Sequence, residues 1–179
     1  MTETGRVYGE ALYSLAREEN LTNSIQTELS ALDTAFRQEP DFVRLLCMPN
    51  IPKDERCEIL DRSFRGKLQP YVLNVLKLLT ESGNMQHFSA CCTAFREQYY
   101  EDHGILPVQA VTAVPMSEAM QERLIGKLSK LTGKKIQLEC RVDPRVMGGI
   151  RLDYNGKRLD DTVRHRLEAI GGLLKDTVL

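Results

Sequence analysis

The sequence predicts an α+β protein in two parts: a six-helix bundle over residues 1–104 and a small α+β domain over residues 105–179. Two observations predict it. Apolar residues recur at helical spacing as far as His103, and after Gly104 they alternate as in β-strands. Charge divides at the same point. Residues 1–104 hold 11 Lys/Arg against 16 Asp/Glu, a net −5, and residues 105–179 hold 13 against 9, a net +4. Two surfaces with different electrostatic preferences are expected, with a mobile joint near residues 103–107.

The helices follow in order. Val7, Tyr8, Ala11, Leu12 and Leu15 share one face of the first. Ile25, Leu29, Leu32 and Phe36, spaced 4, 3 and 4, mark a second from about Thr22. Pro40 and "CMPNIPK" interrupt the pattern and leave a short helix around Phe42 to Leu46. Pro52 suits the first turn of the next, where a missing N–H costs nothing, and Cys57, Leu60 and Phe64 make its stripe. Gly66 precedes a helix that is apolar at 68, 71, 72, 73, 75, 76, 78 and 79, most of the way round. Such a helix must be buried on nearly all sides. It is either the centre of the bundle or a helix with one side open to a docking partner helix. The last helix runs from about Met85, with Phe88, Cys92, Phe95 and Tyr99 in register. Short connections make the six a bundle.

In the second part "ILPVQAVTAV" reads as a strand. Ser117 is placed to cap a helix carrying Met120, Leu124, Leu128 and Leu131, which Thr132-Gly133 closes. "IQLECRV" alternates, with Ile136, Leu138, Cys140 and Val142 on one face, and "GIRLDY" repeats the alternation. Asn155-Gly156 is a hairpin turn leading back through "KRL". A terminal helix is expected to begin near Asp160 to Thr162, with Val163, Leu167, Ile170 and Leu174 facing inward.

Composition narrows the function classes. Apolar content of 42% with 27% charge is that of a soluble globular protein, and 179 residues bury enough surface to need no disulfide or metal. No secretory signal, transit peptide or membrane-spanning run is legible, so any membrane connection runs through a partner. Five cysteines without C-x-x-C spacing read as reduced thiols. His87 and Cys91 have i, i+4 spacing, but no further ligands stand at a familiar distance, so packing is expected there and no metal. The positive charge of the second part is spread out and not clustered with aromatics, which disfavours nucleic acid.

Gly148-Gly149 raises the possibility of a phosphate loop, and with it a small nucleotide- or phosphate-binding enzyme. A phosphate loop follows a strand and opens a helix. Here the glycines lead into the alternating strand of Ile150 and Leu152, so a bulge or sharp reversal fits better. Asp160 and Asp161, with Asp153 nearby, suit a helix cap better than an acid/base pair. No catalytic constellation emerges, and no cofactor is expected.

Four stretches in order carry a family likeness: "RVYGEALYSLA", "LLCMPNIPKDERCEIL", "NVLKLLTESGNMQHF" and "VDPRVMGGIRLDYNGKRLDDTVRHRL". Together they closely resemble the delta subunit of bacterial F-type ATP synthase, equivalent to the mitochondrial oligomycin-sensitivity-conferring protein. The last block is the most specific, and in it Asp143, Gly148, Gly149, Asp160 and Arg164 take signature positions. Asp161-Thr162 stands where the family usually has Gly-Ser, Gly9 where it has Ala, and Asn84-Met85 where it has Arg-Leu. The resemblance implies a non-catalytic stator subunit that ties the catalytic head to the peripheral stalk against rotor torque during ion-coupled ATP synthesis. It implies a place at the cytoplasmic side of the bacterial cell membrane, reached only through the complex. It also implies that the helical part binds the N-terminal helix of an alpha subunit in a groove between helices one and five. Tyr8, Ala11, Leu12 and Leu15 would face that helix from one side, and Val75, Leu78 and Leu79 from the other. Ala11, together with Gly9, would permit close approach. The second part would hold the C-terminal ends of the b subunits.

Overall fold

A computed structural model describes residues 3–146, 148–154 and 156–160. Asn155, Asp161, Thr162, Arg164 and the expected terminal helix lie outside the described residues. The chain divides into two compact units, Met1–Tyr99 and Tyr100–Leu179.

Six α-helices and a 3-10 turn come before the first strand. They are α1 (Glu3–Glu18), α2 (Thr22–Gln38), α3 (Pro40–Cys47), α4 (Lys53–Phe64), α5 (Pro70–Glu81), the turn Met85–His87, and α6 (Phe88–Asp102). The division between units thus falls in the last turn of α6, earlier than the change of period at Gly104. Pro40 opens α3 where it was expected to interrupt, because the first helical position needs no N–H. Pro52 sits at the N-cap of α4, just before the helix and not in its first turn, and its carbonyl accepts the Arg56 N–H at 3.1 Å. The last helix is preceded by a separate 3-10 turn that buries Met85.

One apolar cluster joins these helices. The stripe of α2 is buried as its spacing predicts, at Ile25, Leu29, Leu32 and Phe36. Phe36 packs its ring against Phe42, Phe64 and Phe88, with centroids 5.7, 6.2 and 5.1 Å away. Tyr13 meets Phe95 edge-on at 5.2 Å. α5 buries Val72, Leu73, Val75, Leu76, Leu79 and Thr80, which is why it is apolar nearly all round. Leu78 alone of its leucines stands out, 48% exposed.

Arg56, unremarked in the sequence, is a buried cation at 5% exposure. Its Nη1 donates to the carbonyls of Leu46 at 2.7 Å and Thr80 at 3.1 Å. Those oxygens lie in the last turns of α3 and α5, where carbonyls lack the i+4 intrahelical donor and the dipole favours a cation. One side chain thereby ties two helix ends together.

The second unit contains β1 (Ile105–Thr112), α7 (Glu118–Thr132), β2 (Lys135–Val142), a 3-10 turn (Pro144–Val146), β3 (Ile150–Tyr154) and β4 (Lys157–Asp160). The sheet order is β2-β1-β3-β4. β1 and β2 are parallel with α7 as their crossover, and β3 is antiparallel to β1 and β4. Leu106, Val108 and Ala110 of β1 and Leu152 of β3 form its core, against which Leu124, Leu128, Ile136 and Leu138 pack.

Several expectations fail here for local reasons. Ser117 takes the N-cap position of α7 without a side-chain bond; its backbone carbonyl accepts from Met120 and Gln121 instead. Only the middle of the α7 stripe packs, leaving Met120 60% and Leu131 83% exposed. Likewise Cys140 and Val142 of the apolar β2 face are exposed, while Ile136 and Leu138 earlier in the strand pack against the core. Asp160 ends β4, opposite Arg151, while Asp161 and Thr162, the rest of the expected helix start, lie outside the described residues. Gly133 does close α7 in the left-handed conformation, at φ 68°.

Candidate partner-binding surfaces

α1 packs beside α5. Its inward residues are Gly5, Gly9, Leu12, Tyr13 and Ala16. The stripe expected for this helix is therefore split. Leu12 belongs to the core, Tyr8 is half-buried against it, and Val7, Ala11 and Leu15 face outward at i, i+4, i+8. Val7 and Leu15 are 55% and 44% exposed. On α5, Val75 and Leu79 are buried and Leu78 is outward. Of the seven residues assigned to a docking groove, Ala11, Leu15 and Leu78 offer free surface; Leu12, Val75 and Leu79 lie in the core beneath them.

Gly9 does not face that surface. A Cβ built on it would stand 2.5 Å from the Cys91 carbonyl oxygen and 2.7 Å from the Ala94 Cβ. Gly5 repeats the contact one turn earlier, 2.6 Å from the Ala90 Cβ. Glycine lets α1 lie directly on the backbone of α6, so the close approach is internal to the unit. Burial in this contact pushes the Cys91 thiol up to about 12. It stays protonated, which suits packing and opposes metal ligation with His87.

In the second unit the Gly148-Gly149 turn has φ values of 141° and 81° and runs from the 3-10 turn into β3. No helix follows it directly, so its backbone N–H groups have no helix dipole behind them. Asp143 shapes the approach. Its N–H donates to the Thr112 carbonyl, and its carboxylate accepts the Arg145 N–H at 3.0 Å. That backbone bond, with the Arg145 guanidinium at 3.4 Å, holds its carboxyl below the usual carboxylate range. Asp153 is clasped by Arg151 at 3.3 Å and Arg158 at 2.7 Å, an ion cluster across β3 and β4. Asp153 braces the β3–β4 hairpin and Asp143 the turn before it, while Asp161 lies outside the described residues.

The glycines line one side of a cavity of about 520 Å³. Its other walls are Val114, Met116, Met120, Leu124 and Ile150, with Arg123 and Lys127 on the same helix. Sequence reasoning missed this cleft. Met120 and Leu124 look like core positions by period, yet both line the cleft, Met120 exposed and Leu124 half-buried against the core.

Both units thus carry exposed apolar surface, the pattern of a protein class that associates with other chains. A family model for the ATP synthase delta (OSCP) subunit matches residues 5–174, and the chain belongs to that family, whose members are structural stator subunits and not catalysts. It is 32% identical to ATP synthase subunit delta of Alkaliphilus oremlandii (strain OhILAs) over 160 residues, 89% of each chain. It is 30% identical to ATP synthase subunit delta 1 of Syntrophotalea carbinolica over 174 residues, 97% of each. In fold it resembles a chain of the Toxoplasma gondii mitochondrial ATP synthase hexamer, with a TM-score of 0.77 over 97% of this chain and 98% of that one at 20% identity. Among the described residues no helix is long and apolar enough to cross a membrane.

Proposed function

We propose that this chain is the linker of an ATP synthase stator, with a six-helix bundle over residues 1–104 that binds the alpha subunit N-terminal helix. The observation that carries the reading is the set of exposed apolar side chains Val7, Ala11 and Leu15 on α1 and Leu78 on α5, two helices that pack together. An amphipathic helix laid there would cover apolar side chains that the unit leaves in water, by the helix-in-groove mode. Leu12, Val75 and Leu79 of the same two helices are buried in the core cluster, which supports a surface formed before a partner binds. A preformed surface suits a part that must resist torque.

In this reading residues 105–179 hold the C-terminal ends of the b subunits. The apolar cleft beside Gly148 and Gly149, with Arg123 and Lys127 at hand, suits a chain end bearing carboxylates. Contact with the membrane is indirect, through the complex on the cytoplasmic side of the bacterial cell membrane, and supports ion-coupled ATP synthesis. A peptide copying the alpha N-terminus should bind the full-length chain saturably in calorimetry. Ala11→Asp should weaken it severely, because a charge would be buried without a partner. Undiminished binding by a folded Ala11→Asp protein would remove the groove assignment.

A further inference from the structure

Two side chains of α4 hold the end of α5, at points that flank Leu78. Asp61 accepts from Lys77 at 2.8 Å, and the Arg56 guanidinium donates to the Thr80 carbonyl at 3.1 Å. The first pair is partly exposed and contributes little in water. The second contact is buried. Through the same nitrogen Arg56 holds the Leu46 carbonyl at 2.7 Å, so the ends of α3 and α5 share one donor. The turn that ends α5 does not need Arg56 to form. Gly83 is left-handed at φ 68°. Its N–H donates to the Thr80 carbonyl at 3.1 Å, and the Asn84 N–H donates to the Leu79 carbonyl at 2.7 Å. Those bonds close the helix from its own residues. What Arg56 adds is the place of that turn relative to α3 and α4. Stability does not account for the choice of residue. Among the described residues the Arg56 Nε has no partner, and no carboxylate pairs with the guanidinium. Burying a charge in this way carries a desolvation penalty, and an apolar side chain of similar volume commonly packs as stably. A cation kept despite that penalty fits a role in fixing geometry.

We propose that Arg56 is a positioning residue for the docking surface of the helical unit: it sets the last turn of α5, and with it Leu78, two residues before Thr80. The inference rests on the reading of that surface as the seat of the alpha subunit helix. At 5% exposure Arg56 is too deep to meet a partner itself, and it acts through the α5 backbone. Without it the turn has more than one place to settle. A partner helix must then order the turn as it binds, and that ordering lowers affinity.

The test titrates a peptide copying the alpha N-terminus into the full-length chain and three variants, at a temperature where each is folded. Arg56→Met should weaken binding about tenfold, the equivalent of one hydrogen bond to a charged group. Arg56→Lys keeps a cationic donor and should recover part of that loss. Phe64→Leu removes ring contacts with Phe36 and Phe42 and should leave affinity unchanged although it destabilises the unit. Amide exchange from Leu78 to Asn84 should quicken in Arg56→Met relative to α2, and bound peptide should reverse the change. A folded Arg56→Met chain that binds as the wild type does overturns this role and leaves the docking surface standing. A Phe64→Leu chain weakened as much as Arg56→Met also overturns it, since general destabilisation would then suffice. A wild-type chain that fails to bind the peptide removes the docking surface, and this role with it.

Discussion

The two units bury apolar surface by different means. In the helical unit every α-helix sends at least one side chain into a single cluster, and the largest of them, Phe95 among others, are fully enclosed. In the α+β unit burial is concentrated on β1 and β3, and α7 has no fully buried residue. Exposed Val114, Met120, Leu131, Val142 and Leu159 all belong to that second unit. The helical unit confines its exposed apolar surface mainly to one line on two helices; the second spreads it over a cleft, a helix and a strand edge. The contrast is one of packing: the first unit has a single enclosed core, and the second leaves more apolar surface exposed.

Substituting one glycine in each unit breaks the comparison most directly. Gly9→Ala should destabilise the helical unit by about 1–3 kcal/mol, because the added methyl meets the α6 backbone. Amide hydrogen exchange of α1 and α6 would report the loss; unchanged protection would mean that the two helices separate at little cost. Gly126→Ala, in the middle of α7 with nothing within 4 Å of its Cβ, should have the opposite sign. A gain of about 0.5–1 kcal/mol from helix propensity is expected, read in the exchange of α7. A loss there would show that α7 is packed on that side as well.

The smallest effect concerns the ion pair joining α4 to α5. Lys77 donates to Asp61 at 2.8 Å, which holds the Asp61 carboxyl below its ordinary value. A carboxylate whose folded value is depressed adds stability above its unfolded value and loses it as pH falls through the folded one. Asp61→Asn should therefore lower the denaturant midpoint at pH 7, and the difference should shrink as pH falls below the ordinary aspartate range. A pH-independent difference would assign the effect to packing.

Much of this was legible from period alone. The stripe of α2 and the enclosed α5 follow from spacing, since a helix repeats every 3.6 residues whatever surrounds it. The hairpin through Gly156 and the stop at Gly133 follow from backbone freedom at single positions. The face of α1 was only partly legible, because Val7, Ala11 and Leu15 belong to the same apolar stripe as Leu12. Which edge of that stripe turns inward depends on what lies beside it.

The sequence by itself determined the kinds and order of the elements, the apolar sides of α2 and α5, and the family through its last block. The tertiary structure decided the rest. It placed Gly9 against α6, set Arg56 between the ends of α3 and α5, put Asp160 in a strand, and left Met120 beside a cleft. The physical reason is the same each time: a residue's local preference travels with the chain, but its cost or use depends on atoms brought close from far along it. Gly9 carries a helix penalty in its own segment and becomes the residue that fits only when Cys91 and Ala94 arrive.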